Sequence, residues 1–185
     1  SRSVFAAGDD GTLVFWDGYR WTLLPQETSN AFSAVWGSGR NDVYAVASNG
    51  GIYHHRGFSF LRQPVQPMSA NHLMTDVSGS SGSDVWAVGW LGWAAHYDGA
   101  AWTWAHTGVV RHLWSVWAHS PTDVFAVGEQ GTLLHYDGLA WSTMPSPTSE
   151  GLEAVWGTSP VDVWAVGLWD TVLHYDGFDW TPVNT

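Results

Sequence analysis

An all-β propeller is the fold this sequence predicts, and three observations predict it. The chain repeats itself: Asp84-Val85-Trp86-Ala87-Val88-Gly89, Asp123-Val124-Phe125-Ala126-Val127-Gly128 and Asp162-Val163-Trp164-Ala165-Val166-Gly167 follow one another at intervals of 39 residues. Each repeat breaks into short runs of alternating apolar residues separated by Gly, Pro, Asp and Ser, which is strand and turn chemistry. The composition completes the case: 15 tryptophans and 21 glycines in 185 residues, with 45% apolar and only 12% charged residues, suit stacked sheets rather than disorder. A repeat of this length holding several strands is the signature of propeller blades.

The elements follow from the clearest copies. In the repeat at 107–145 the four runs, here a to d, are Leu113 to Trp117, Val124 to Val127, Thr132 to Tyr136 and Trp141 to Met144. The apolar spacing is two, not three to four, so helices are not expected. The a–b link from Ser120 to Asp123 and the c–d link at Asp137-Gly138 are short enough for hairpins, and Asp-Gly supplies the positive φ such turns need. Related series run through repeats at approximately 1–25, 26–64, 65–106, 107–145 and 146–185, making residues 1–185 a single domain. The first repeat enters the cycle midway, with Val4-Phe5-Ala6-Ala7-Gly8, Phe15-Trp16-Asp17-Gly18 and Trp21-Thr22, and lacks an a strand. The expectation is a five-bladed propeller of four-stranded antiparallel blades, the first without its innermost strand. A fragment of a six- or seven-bladed ring is the alternative, and a chain continuing past Thr185 would supply the absent strand.

The series Ala154-Val155-Trp156-Gly157, Asp162-Val163-Trp164-Ala165-Val166-Gly167, His174-Tyr175-Asp176-Gly177 and Trp180-Thr181 resembles a repeat family of secreted proteins of environmental bacteria. That family is distantly similar to Asp-box and Kelch blades. The resemblance implies a propeller fold, more firmly than any activity, and a secreted or cell-surface location. Asp137 and Gly138 are adjacent here, whereas the Asp-box spaces them by one, so sialidase-type catalysis is not implied.

Charge narrows the partners. A formal net charge of −11, with six arginines and no lysine, supplies no basic stripe, so nucleic acid is not expected. A cationic partner, or simple solubility, suits the acidic balance better. The absence of cysteine excludes disulfides and thiolate metal sites. No apolar stretch has the length of a membrane helix, so no membrane insertion is expected, and the first residues already belong to a repeat, so no signal peptide is visible.

Residues that recur are read as structural. His54, His96, His135 and His174 close strand c, one per blade, and cannot converge on one ion; a hydrogen bond to a neighbouring turn is expected of each, and no metal site. Asp42, Asp84, Asp123 and Asp162 open strand b, and Asp17, Asp98, Asp137 and Asp176 sit in the c–d turn, where they would cap turns on one face. None has the spacing of a calcium loop. Trp36, Trp117 and Trp156 on strand a, with Trp21, Trp102, Trp141 and Trp180 on strand d, are expected to pack blade against blade.

Residues that break the repeat are the functional candidates. The b–c turn tips are Asp9-Asp10, Ser48-Asn49, Trp90-Leu91, Glu129-Gln130 and Leu168-Trp169, so Trp90 and Trp169 stand where turns are usually polar. Trp93 replaces Thr or Gly, and Trp114 replaces Ser, Thr or Glu. The link from Ala105 to His112 adds His106, Arg111 and His112 on the same face, close to Trp90, Trp93 and Trp114 in the expected arrangement. Aromatic plates beside hydrogen-bonding side chains are what a sugar site requires. The link at 64–72 is longer than its counterparts, and longer loops on a rigid ring often shape a binding site. The leading expectation is therefore a non-enzymatic, lectin-like binding module with a glycan or protein partner. The alternative is a protein-interaction or self-assembly scaffold, in which an incomplete blade pairs through its open edge. No enzyme and no cofactor are expected: the only acids at strand-a starts are Asp76 and Glu153, and no nucleophile–base pair accompanies them.

Overall fold

A computed structural model of the protein describes residues 3–25, 28–66 and 72–183. Among the described residues twenty strands form five sheets. The first blade is β1 (Val4–Ala7), β2 (Leu13–Trp16) and β3 (Trp21–Leu23). The second is β4 (Phe32–Gly39), β5 (Asp42–Ala47), β6 (Ile52–His55) and β7 (Phe60–Gln63). After a two-residue strand, β8 (Val65–Gln66), the third is β9 (Met74–Ser81), β10 (Asp84–Gly89), β11 (Trp93–Tyr97) and β12 (Trp102–His106). The fourth is β13 (Leu113–Ser120), β14 (Asp123–Gly128), β15 (Leu133–Tyr136) and β16 (Trp141–Thr143). The fifth is β17 (Leu152–Ser159), β18 (Asp162–Gly167), β19 (Val172–Tyr175) and β20 (Trp180–Pro182). Within each blade the strands pair antiparallel in chain order.

The five-bladed propeller expectation is met, with two refinements. Strand a runs further than its apolar core suggests, because Ser120, for example, still pairs with Asp123 beyond a register shift. The third blade has a fifth strand: β8 joins the outer edge of β12 in parallel, with Val65 opposite Trp102. Residues 67–71 of the same link lie outside the described residues.

Period-two alternation sends one side of each blade forward and the other back, and the core is split among the blade junctions. Leu13, Phe32, Val43, Ala45 and Phe60 fill the first–second junction, with Phe5 against them. Tyr44, Val46, Val77, Val85, Ala87, Tyr97 and Trp102 fill the second–third. Trp86, Val88, Val116, Val124 and Ala126 fill the third–fourth, and Phe125, Val127, Val155, Val163, Ala165 and Trp180 the fourth–fifth. The inner strands pack on one another: Trp36 lies so close over Gly79, and Trp117 over Gly157, that a Cβ on either glycine would come within 2.6 and 2.7 Å of the ring. Where the third blade has Ser78 in place of that tryptophan, the fourth has Ala118 in place of the glycine, and Ala118 N–H donates to Ser78 Oγ at 3.2 Å. Size is thus matched across these three junctions.

Among the described residues no buried cluster joins the fifth blade to the first. The forward side of the fifth blade, with Trp156, Trp164 and Val166, and the rear side of the first, with Val4, Trp21 and Leu23, are exposed. This corrects the reading of Trp21 and Trp156 as packed side chains: they hold packing positions, but on the two sides that meet no further blade among the described residues. Trp102 and Trp180 are buried, and Trp36, Trp117 and Trp141 half-buried.

Candidate functional site

The recurring polar residues form one network per blade. The carboxylates of Asp42, Asp84, Asp123 and Asp162 accept at Oδ2 from Ser38, Ser80, Ser120 and Thr158. Their Oδ1 atoms lie 2.6, 2.8, 3.2 and 2.9 Å from Nε2 of His54, His96, His135 and His174. Each imidazole packs on the strand-b aromatic, at 4.0 Å and 11° on Tyr44 and 4.1 Å and 14° on Trp86, and more tilted on Phe125 and Trp164. Sequence reasoning sent both histidine and aspartate to turns; they bond each other, tying strand b to strand c. Activating a hydroxyl needs imidazole between hydroxyl and carboxylate, whereas here the carboxylate stands in the middle. Asp17, Asp98, Asp137 and Asp176 do cap their turns, each Oδ1 accepting two backbone N–H groups at 2.8–3.0 Å. Those bonds hold the four carboxyls below their ordinary pKa.

At the inner strands Asp76 is a stitch between blades. It accepts from Ser115 Oγ (2.8 Å), Val116 N–H (3.0 Å) and Val77 N–H (2.8 Å). Burial still outweighs these donors and raises its pKa. Glu153 is exposed. Among the described residues no three His, Asp or Glu side chains converge as a metal-binding set, and no helix is long and apolar enough to cross a membrane.

The irregular aromatics lie on the b–c turn side in separate contacts. Trp90 stacks on His112 at 4.5 Å, and His112 Nδ1 accepts from Leu91 N–H at 3.0 Å. Trp93 has the strand parity of Ala95 and Tyr97, so it turns toward the second blade and packs on His72 (4.0 Å), Trp104 and His106. His106 Nδ1 accepts from Gly108 N–H at 3.0 Å. Trp114 crosses instead to the fifth blade, over Gly151 and beside Leu168. Arg111 is exposed, and Trp169 is 84% exposed at a left-handed φ of 55°. The seven residues share a side of the molecule, but Trp93, Trp90 and Trp114 do not form one platform, because alternation along the strands aims them at different junctions.

A second set of exposed apolar residues was not singled out from sequence. Tyr19, Phe58, Leu139 and Phe178 project from the c–d turn tips, each 88–92% exposed. The signal was present: four of five copies place a large apolar residue directly after the turn glycine.

Burial also sets a pH response. It holds the imidazoles of His54, His55 and His72 below their ordinary value. The folded chain therefore binds fewer protons than the unfolded one as pH falls through ~6.5, and stability declines on acidification through that range. Tyr occupies the place of His55 in the third to fifth blades, as Tyr97, Tyr136 and Tyr175. His55→Tyr is expected to flatten the dependence of the melting temperature on pH between about 5.5 and 7.5. An unchanged slope would place the titration elsewhere.

No protein-family model matches the chain, and no curated protein matches it in sequence. Solved structures do match in fold. A structure described as YCF48 bound to D1 peptide superposes with a TM-score of 0.71 and 18% identity over 97% of this chain and 63% of that one. YCF48 from Cyanidioschyzon merolae superposes with a TM-score of 0.70 and 12% identity, over 95% and 66%. The chain thus spans about two thirds of the length of these neighbours.

Proposed function

We propose that this chain is a protein-interaction propeller, a rigid frame that binds a partner polypeptide through apolar side chains at its turn tips and carries out no catalysis. The observation that carries the reading is the division of labour among its side chains. The recurring hydroxyl, carboxylate and imidazole groups are engaged within blades, while Leu91, Leu139, Trp169 and Phe178 stand exposed. Exposed aromatic and apolar side chains of this kind are the anchors that protein-binding hot spots use. His106 and His112, the side chains a lectin would offer to hydroxyls, each accept a backbone N–H of this chain. The peptide named for one of the fold neighbours supports the same reading.

Selection from a displayed peptide library, run beside a glycan array, tests this. Peptides are expected to be enriched, with binding at least ~10-fold weaker to a chain carrying Leu91→Ser, Trp169→Ser and Phe178→Ser, since buried aromatic anchors contribute ~2 kcal/mol or more each. Glycan binding without peptide binding would return the protein to the lectin class.

A further inference from the structure

The outer ends of three blade junctions share one arrangement. The strand-d tryptophan of the later blade meets the strand-b aromatic of the earlier blade edge to face: Trp102 with Tyr44 (5.8 Å, 72°), Trp141 with Trp86 (5.2 Å, 89°) and Trp180 with Phe125 (6.4 Å, 76°). Two of the junctions are closed on their outer side. At the second–third junction the closing group is Val65, 6% exposed, carried opposite Trp102 by the parallel strand β8. At the fourth–fifth it is Met144, whose sulfur accepts the Trp180 indole N–H at 3.3 Å.

Among the described residues the third–fourth junction has neither. Ala105 occupies the place of Met144, one pairing beyond strand d's last common residue. Among the described residues β16 has β15 as its sole neighbour, so its outer edge is open. What remains is a cleft of about 420 Å³ walled by Trp86, His96, Ala105, Tyr136 and Trp141, with Leu139 at its rim. The Trp86 and Trp141 indole N–H groups have no acceptor there, but neither has that of Trp102 beside Val65. The distinguishing feature of this junction is therefore vacant volume against Trp86 and Trp141 beside an unpaired strand edge.

We propose that this cleft docks an extended segment of a partner protein, added in parallel to β16, with a β-branched aliphatic side chain set against Trp141 as Val65 is set against Trp102. The proposal rests on the protein-interaction reading and adds to its turn tips a second site, which shares Leu139 with them, and a ligand class. The chain's own β8 shows that the outer edge of a blade accepts such a strand. In β-addition the main chain supplies affinity and alternate side chains supply selectivity. A two-residue ladder makes a small interface, so the binding is weak and reversible. The net charge of −11 favours a segment with a basic residue nearby.

The test uses the full chain and a capped peptide with the sequence of residues 62–66, Arg-Gln-Pro-Val-Gln, followed through the amide resonances of Trp141 to Thr143 and the Trp141 indole. Saturable shifts at those positions are expected. Ala105→Met, which puts at this junction the side chain that closes the next, should weaken binding at least 10-fold without lowering the melting temperature. Replacing the peptide's valine by aspartate, or N-methylating its backbone, should do the same with the protein unaltered. No shifts up to millimolar peptide, or equal affinity for the Ala105→Met chain, overturns the proposal. If library-selected peptides bind the turn tips while the 62–66 peptide gives no shifts at Trp141 to Thr143, the cleft assignment falls and the interaction reading stands. If no peptide binds anywhere, both fall.

Discussion

Trp86→Ala is expected to cost about 3–5 kcal/mol of folding stability, and Trp164→Ala, at the same place in the repeat two blades later, less than about 1.5. Both tryptophans stand third in a strand that opens Asp-Val-Trp, and both rest on the histidine of strand c. Their surroundings differ. Trp86 is 2% exposed, with Tyr136 at 4.7 Å and Trp141 at 5.2 Å from the next blade, so truncation leaves a cavity walled by two blades. Trp164 is 37% exposed, and no further blade covers it among the described residues. Its truncation removes one stacking contact and a hydrogen bond from Nε1 to Asp162 at 3.1 Å. Urea unfolding of the two variants, followed by far-ultraviolet circular dichroism, measures the difference. Equal costs would mean that the forward side of the fifth blade is covered in solution, by association or by another segment, and sedimentation at rising concentration would then distinguish the two.

The same contrast explains what could be read in the residues and what could not. The blades were legible because alternation, turn chemistry and a 39-residue interval agree with one another, as at Val124 to Val127 followed by Asp137-Gly138. The packing partner of each side chain was less so. Trp93 looked like a neighbour of Trp114, although its parity with Ala95 and Tyr97 already aims it at the second blade. Trp21 and Trp156 carry the packing residue of their position, but burial depends on a neighbouring blade, which the repeat does not specify. β8 was hidden because Val65-Gln66 lies between Pro64 and Pro67, a pattern that reads as a loop. Ala105 is an unremarkable residue until Met144 and Val65 are seen filling the corresponding places at the adjoining junctions.

Asp84→Ala is expected to cost about 2–4 kcal/mol, clearly more than Asp162→Ala, and to alter the acid response of the fold. Asp84 is 5% exposed and accepts from Ser80 Oγ at 2.5 Å and pairs with His96 Nε2 at 2.8 Å. Removing the carboxylate strands a hydroxyl and an imidazole beside Trp86, where water cannot fully replace it. Asp162 makes the same bonds with its side chain 40% exposed, so water replaces much of what is lost. Burial pushes the Asp84 carboxyl up, but the bonds from His96 and Ser80 outweigh it and hold the group below its ordinary value. A depressed carboxylate binds fewer protons folded than unfolded below pH ~3.9, so its contribution is present above that value and lost as pH falls through the folded pKa. In Asp84→Ala that loss has already occurred, and its stability should fall less steeply than that of the parent below about pH 4. Parallel acid-unfolding curves, offset by a constant amount, would show that Asp84 acts by shape alone and that the carboxylate charge does not hold strand b to strand c.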